Sequence, residues 1–285
     1  MIEASPGGRV AIVSGAGGGL GRAMTLALVE AGARVAAVDA NRGLAERIAA
    51  DARKAAGEDC AVPICRDLRD PDGCAAVVDE TLSAFGGVHA VVNNAGIGMA
   101  TIRENFWADN VKFWDVPTDK WQAVFDVNVK APFMLAKAAA PRMIAGGWGR
   151  IVNVTTSLDT MIRPAWTPYG PSKAALEASS ANWAGDFDGT GVTVNVLIPG
   201  GPADTPFVTL ASQPDRSRLI RPERMAAPVV WLLSDASDGV NGRRFVANDW
   251  DPDLPADEAA EAASAPIAWK GFGRQAASQP VPGSA

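Results

Sequence analysis

Seven short apolar runs punctuate the chain, at residues 10–13, 34–38, 61–64, 88–92, 150–154, 192–197 and 243–246. Each is rich in Val, Ile, Leu or Ala, and each predicts a short strand. Between them Ala, Leu or Val returns every three or four residues near 20–31, 42–56, 71–85, 118–145, 168–187 and 221–235, the period of a helix with one apolar face. Strands alternating with helices predict a parallel sheet covered on both faces, a doubly wound α/β fold in one domain.

Two stretches break the alternation. Residues 97–118 form a long connection carrying Phe106, Trp107, Phe113 and Trp114, and residues 202–221 form a second. Both follow strand ends on the side where such sheets bind ligands. The domain is expected over residues 1–250. The tail, 251–285, is rich in Ala and Pro and carries Trp269; it is expected as a short helix with coil or as a contact to a neighbouring subunit, with its last ten residues disordered.

Charge and composition narrow the function. The net charge is −6 over 285 residues and the basic residues are scattered, which argues against a nucleic-acid surface. The first nine residues hold no basic segment leading into an apolar stretch, and no eighteen apolar residues run together, so a soluble, cytoplasmic protein without a membrane partner is expected. Cys60, Cys65 and Cys74 are odd in number and lack Cys-x-x-Cys spacing, which predicts reduced thiols. His89 is the lone histidine, so an imidazole metal site is not expected. The chain has no Gly-x-Ser-x-Gly elbow for a Ser-His-Asp hydrolase.

The candidate chemistry centres on Tyr169, the sole tyrosine, four residues before Lys173 at the head of a predicted helix. One helical turn sets the ammonium beside the phenol. Ionising a free phenol of pKa about 10 at neutral pH costs about 4 kcal/mol, and an adjacent cation reduces that cost. A partly buried tyrosine with a chance neighbour is the plainer reading. Between the first strand and the first helix lies Ser14-Gly15-Ala16-Gly17-Gly18-Gly19-Leu20-Gly21, where a tight turn lets a pyrophosphate approach backbone N–H groups at a helix N-terminus. No Gly-Lys-Ser/Thr follows, which disfavours an ATP-hydrolysing loop. Asp39 ends the second strand, where a carboxylate can accept from both adenosine ribose hydroxyls and repel a 2′-phosphate. This favours NAD over NADP, with Arg42 close enough to blur the preference; Asp39 as a mere helix cap is the alternative.

Taken in order, Gly15-x-x-x-Gly19-x-Gly21, Asn93-Asn94-Ala95-Gly96, Asn128, hydroxyl residues closing the fifth strand, Tyr169-x-x-x-Lys173 and Pro199-Gly200 resemble the classical short-chain dehydrogenase/reductase family over residues 7–250. The resemblance implies a Rossmann-type seven-stranded parallel sheet flanked by helices. It also implies an NAD site made by Gly15, Gly17, Gly18, Gly19, Leu20, Gly21 and Asp39, with Asp67 and Leu68 at the adenine. Asn94, Ala95 and Gly96 would line the cofactor, Thr155 would stand on its side, and Pro199, Gly200 and Thr205 would contact the nicotinamide. Tyr169 would be the general acid/base, Lys173 would bind the nicotinamide ribose and lower the phenol's pKa, and Asn128 would keep a water in a proton relay.

The hydroxyl that polarises the substrate oxygen stays open between Thr156, thirteen residues before Tyr169, and Ser157, twelve before. The segment from Pro199 to Thr205 is one residue longer than the family pattern. Trp107, Phe113, Trp114, Met161, Trp166 and Phe207 are candidate walls of an apolar pocket, with Asp159 and Arg163 as polar contacts. The expected reaction is hydride transfer between NAD and a bulky or aromatic secondary alcohol and its ketone. An NADPH-dependent carbonyl reductase of the same fold and a non-catalytic nucleotide-sensing scaffold are the alternatives. The resemblance also implies a homodimer or tetramer joined through the helices that hold Asn128 and Tyr169.

Overall fold

The computed structural model describes residues 6–210 and 215–269. The seven apolar runs form β1 (Val10–Ser14), β2 (Arg34–Asp39), β3 (Ala61–Cys65), β4 (Ala90–Asn93), β5 (Gly149–Val154), β6 (Val192–Ile198) and β7 (Arg243–Val246), all parallel. The tail adds β8 (Ser264–Pro266), antiparallel to β7, so the sheet has eight strands in the order β3-β2-β1-β4-β5-β6-β7-β8. An alanine- and proline-rich tail carries no strand signal, which is why the edge strand is not visible in the sequence.

Successive strand residues point to opposite faces. In β1, Ala11 and Val13 join one core and Ile12 the other. The first core packs under α1 (Gly19–Glu30) and α2 (Arg42–Ala56), which supply Met24, Leu28 and Ile48. The second is covered by α3 (Pro71–Phe85), with Val77 and Val78. The predicted helix over 118–145 runs as α4 (Thr118–Phe125), one π-turn (Asp126–Lys130) and α5 (Ala131–Gly146), whose Leu135 and Met143 enter the second core. The extra residue of a π-turn breaks the 3.6-residue register, and such bulges concentrate at functional sites. This one buries Asn128.

A short helix, α6 (Leu158–Ile162), precedes α7 (Tyr169–Asp186). At one turn and a half it is too brief to show a period. The helix predicted over 221–235 is a 3₁₀ turn (Pro222–Met225) followed by α8 (Ala226–Leu232). In the tail, α9 (Ala256–Ala262) buries Ala259 and Ala260 in the first core with Trp231 and Trp250, and the Trp231 indole donates to Asp257 Oδ1 at 2.8 Å. The last ten residues of the tail lie outside the described residues. Among the described residues no helix is long and apolar enough to cross a membrane. The order of strands reverses between β1 and β4, which opens a crevice at their C-terminal ends.

Candidate active site

The glycine turn fills that crevice. Gly15 and Gly19 have φ of 62° and 47°, conformations that a side chain disfavours. A Cβ on Gly15 would stand 2.9 Å from Ala95 Cα. The Asn94 side-chain amide donates to the Ser14 and Gly15 carbonyls at 3.0 and 3.1 Å, and Ser14 Oγ accepts from the Asn94 and Ala95 amides at 3.1 Å each. The end of β4 thereby locks the turn. Helix α1 starts with no side-chain cap and no acidic residue in its first turn, which leaves its N–H groups and positive dipole end for an anion. Gly15, Gly17, Gly18, Gly19 and Leu20 line one cleft of about 760 Å³, together with Asn94, Ala95 and Gly96. Gly21 does not line it. A Cβ there would lie 2.0 Å from the Gly15 carbonyl oxygen, so its part is to let helix and turn pack closely.

Asp39 lines the same cleft. Its Oδ2 accepts from the Gly17 amide at 3.2 Å and its Oδ1 from the Asn41 amide at 2.9 Å, and each oxygen retains further acceptor capacity. The cap of α2 is Asn41, which accepts from the Leu44 amide at 3.1 Å, so Asp39 is not that cap. Leu44, unflagged by the sequence, lines the cleft as well. Asp67 and Leu68 do not line it. The Asp67 carboxylate is held by Arg69, whose hydrogen bonds keep it below the usual carboxylate range, and Leu68 is buried with Val38 and Val77 in the second core. A motif position after β3 says which strand end is near the cleft, not which way its side chains turn.

At the other end of the cleft Tyr169 and Lys173 occupy the buried face of α7. The Thr156 side chain favours the ionised phenol, yet burial outweighs it and pushes the pKa up to about 12. Burial pushes Lys173 down to about 8, and its Nζ donates to the Val154 carbonyl at 2.8 Å. In the protein alone desolvation dominates the phenol. Ser157 lines the cleft but caps α6: its Oγ accepts from the Thr160 amide at 3.1 Å and lies 2.7 Å from Thr160 Oγ1. Thr156 also lines the cleft, with its side chain outside that cap.

Asn128 is buried outside the cleft lining. Its Oδ1 accepts from the Ile97 amide at 2.9 Å, and its Nδ2 donates to the Ile97 carbonyl at 3.0 Å and to Ser172 Oγ at 2.9 Å. The side chain braces the backbone after Gly96 against α7. Thr155 Oγ1 donates to Glu177 Oε2 at 2.7 Å.

Aromatic rings surround the phenol. The Trp166 and Phe207 centroids lie 5.9 and 5.5 Å from that of Tyr169, and Trp107 and Phe106 meet Trp166 edge-on at 5.3 and 5.5 Å. Trp107, Trp166 and Phe207 line the cleft as expected; Phe106, Met99 and Thr160 line it without having been singled out as candidates. Phe113 and Trp114 do not. They pack on each other at 5.1 Å and are 68% and 69% exposed, because loop aromatics have no period to say which way they face. Met161 is buried beneath the cleft wall, with its carbonyl against Gly170, and Asp159 is exposed and ion-paired with Arg163. Arg163 lines the cleft, its guanidinium 5.5 Å from the Trp166 ring centroid.

Pro199, Gly200 and Thr205 line the cleft from the β6 side. The Thr205 side chain rests on Gly19, where a Cβ would come within 2.7 Å of it. Arg216 holds this segment by pairing with Asp204 and donating to the Thr205 and Val208 carbonyls at 3.1 and 2.8 Å.

An uncapped helix start, a Gly18 whose Cβ would meet no protein atom within 4 Å, and a carboxylate at the end of β2 fit a nicotinamide dinucleotide. Comparison with known proteins agrees with this fit. The family described as short chain dehydrogenase matches residues 9–215. A short-chain type dehydrogenase/reductase of Picea abies is 33% identical, covering 83% of this chain and 90% of its own. The NADPH-dependent aldehyde reductase 2, chloroplastic, of Arabidopsis thaliana is 31% identical over 85% of this chain and 93% of its own. The crystal structure of 3-ketoacyl-(acyl-carrier-protein) reductase from Brucella melitensis complexed with NADH is 25% identical, with a TM-score of 0.72, over 83% of this chain and 95% of that one. With matched motifs, fold and cleft in register, the chain belongs to the short-chain dehydrogenase/reductase family of nicotinamide-dependent oxidoreductases.

Proposed function

We propose that the protein interconverts a bulky secondary alcohol and its ketone with NAD, using Tyr169 as general acid/base. One observation carries this reading: a single cleft joins the uncapped start of α1 and Asp39 to a buried phenol that shares its lining with the Thr156 hydroxyl and is walled by aromatic rings. The bound nicotinamide supplies the hydride acceptor or donor. Tyr169 takes the carbinol proton during oxidation and returns it during reduction. The Thr156 hydroxyl donates to the substrate oxygen as negative charge grows there. Lys173, at about 8, is still mostly protonated at neutral pH, and its charge favours the phenolate. Asn128 keeps the Ile97 backbone and Ser172 in register beside that pair.

Support for NAD comes from the lining. Arg163 and Lys173 are the basic residues that line the cleft among the described residues, and both stand at the phenol end. Arg42 is 74% exposed and pairs with Glu46 at 3.7 Å. Support for a bulky substrate comes from Trp107, Trp166 and Phe207. Exposed Trp121 and Phe133 on α4 and α5 support a dimer or tetramer through these helices and α7.

The test is a panel of cyclohexanols, 1-phenylethanol and small polyols with NAD⁺ and NADP⁺, followed by nicotinamide absorbance. Ring alcohols with NAD⁺ should be oxidised, and Tyr169→Phe should lose at least about a hundredfold in turnover. Full activity in that variant would refute the assignment. Preference for NADP⁺ that Asp39→Ala leaves unaltered would move the reading to an NADPH-dependent carbonyl reductase. Cofactor binding without turnover of any alcohol would leave a nucleotide sensor.

A further inference from the structure

Glu177 lies eight residues after Tyr169 and four after Lys173, on the same buried face of α7, and its side chain is wholly inaccessible. Its partner is Arg244 of β7, 7% exposed, whose Nη1 donates to Glu177 Oε2 at 2.7 Å. The guanidinium is bidentate across two elements. Nη1 also meets Thr155 Oγ1 at 3.3 Å, and Nη2 donates to the Thr156 carbonyl. The other carboxylate oxygen, Oε1, accepts from the Ala268 amide at 3.2 Å, beyond the eighth strand. Both carboxylate oxygens and both terminal guanidinium nitrogens thus have partners, as burial of charge demands.

Stability alone does not explain the pair. Buried ion pairs can often be exchanged for apolar side chains of similar volume with no loss of stability. What an apolar pair could not do is hold the carbonyl of Thr156. The contacts form a chain: from the Thr156 carbonyl to Arg244, from Arg244 to Glu177, and back along two turns of α7 to Tyr169, which lines the same cleft as Thr156. The strand end carrying the hydroxyl is thereby tied to the same helix that carries the phenol. Planar, multidentate bonding of this sort is a property of arginine that lysine lacks.

We propose that Arg244 and Glu177 are positioning residues that fix Thr156 against Tyr169. The proposal rests on the reading of Tyr169 and Thr156 given above, and it extends the site to a residue 75 positions further along the chain than the tyrosine. Neither residue lines the cleft, so both act through Thr156.

The test uses the full-length protein saturated with NAD⁺ and reads tyrosinate absorbance, which in this chain reports Tyr169 alone. The variants are Arg244→Lys, the double substitution Glu177→Met with Arg244→Met, and Thr156→Val as the reference. Circular dichroism and the urea midpoint establish that each is folded. Loss of the hydroxyl should raise the ionisation midpoint by roughly one pH unit in Thr156→Val, and both Arg244 variants should show the same rise. Adding Thr156→Val to Arg244→Lys should raise it no further. A wild-type midpoint in a folded Arg244 variant would overturn the proposal, as would failure of both Arg244 variants to fold, which assigns the pair to the core alone. Retained activity in Tyr169→Phe would instead sink the dehydrogenase reading and is measured separately.

Discussion

A chain with one tyrosine allows its acid/base group to be titrated directly. Burial sets the phenol at about 12 against an ordinary value of about 10, a bias of about 3 kcal/mol against the phenolate in the folded protein. At pH about 11 an ordinary phenol is about 90% ionised, whereas Tyr169 should be about 10% ionised. The folded protein should therefore show roughly a ninth of the tyrosinate absorbance that appears when urea unfolds it at the same pH, with circular dichroism checking the fold. The sign of the linked stability follows. The folded phenol keeps its proton between about 10 and 12 while the unfolded one loses it, so this contribution is complete below about 10 and disappears as pH rises to about 12. Lys173 acts in the opposite sense: its contribution is complete above 10.5 and is lost as pH falls to about 8. A cation brought within about 5 Å at an effective dielectric of about 20 is worth ~3 kcal/mol, or about two pH units, so NAD⁺ should bring the midpoint down. A midpoint at or below 10 in the free protein would refute the argument that desolvation dominates.

Three further outcomes follow from single contacts. Thr156→Val should cut turnover by about 10²–10³, whereas Ser157→Ala should cost only about 1 kcal/mol of stability through the lost cap of α6, measured by steady-state rates and urea melts; the reverse order would reassign the hydroxyl. Gly21→Ala, with its Cβ 2.0 Å from a carbonyl oxygen, should lower the thermal midpoint through at least about 1–3 kcal/mol of overpacking, while Gly18→Ala, open to the cleft, should keep the midpoint and weaken cofactor binding by calorimetry. His89 Nδ1 accepts from the Val10 amide at 3.0 Å, and burial, with Arg9 and Arg34 nearby, holds its pKa below 6.5. The unfolded chain takes up that proton first, so the stability difference between wild type and His89→Ala should be full above about 6.5 and shrink as pH falls below it; a difference constant from pH 7 to 5 would contradict this.

The legible parts of the molecule were those whose signal is local. Each parallel strand is a short apolar run, and the glycine turn, Asp39, Tyr169 and Lys173 sit within a few residues of an element end, where spacing and chemistry coincide. The obscure parts depend on contacts between distant segments. Whether Thr156 or Ser157 faces the phenol is decided by α6, a helix of five residues that Ser157 caps. Phe113 and Trp114 were indistinguishable in sequence from Phe106 and Trp107, although the first pair faces out and the second lies against Trp166. Asp67 pairs with Arg69, a contact that its position after β3 does not reveal. Glu177 did carry a signal, since a carboxylate four residues after Lys173 lies on the same face of the helix; its partner, 67 residues away, did not.

Desolvation unites the site's features. It pushes the phenol up and the ammonium down, so the free cleft keeps the phenol neutral while Lys173, at about 8, stays mostly charged at neutral pH. Under the proposed reading, the reactive phenolate then depends on charge delivered with the oxidised cofactor, and by linkage the binding of that cation and the loss of the phenol's proton strengthen each other. Thr156 is the short-range part of the same balance, because its side chain opposes the burial that the aromatic walls impose on the phenol. A hydroxyl can do this only at hydrogen-bond distance, and the strand end that carries it leads into an irregular segment before α6. The Arg244–Glu177 bracket removes that freedom, tying the Thr156 carbonyl to α7 through a buried ion pair. Long-range charge and a rigidly held hydroxyl are thus complementary requirements: the first sets whether the phenol ionises, and the second sets whether it is aligned when it does.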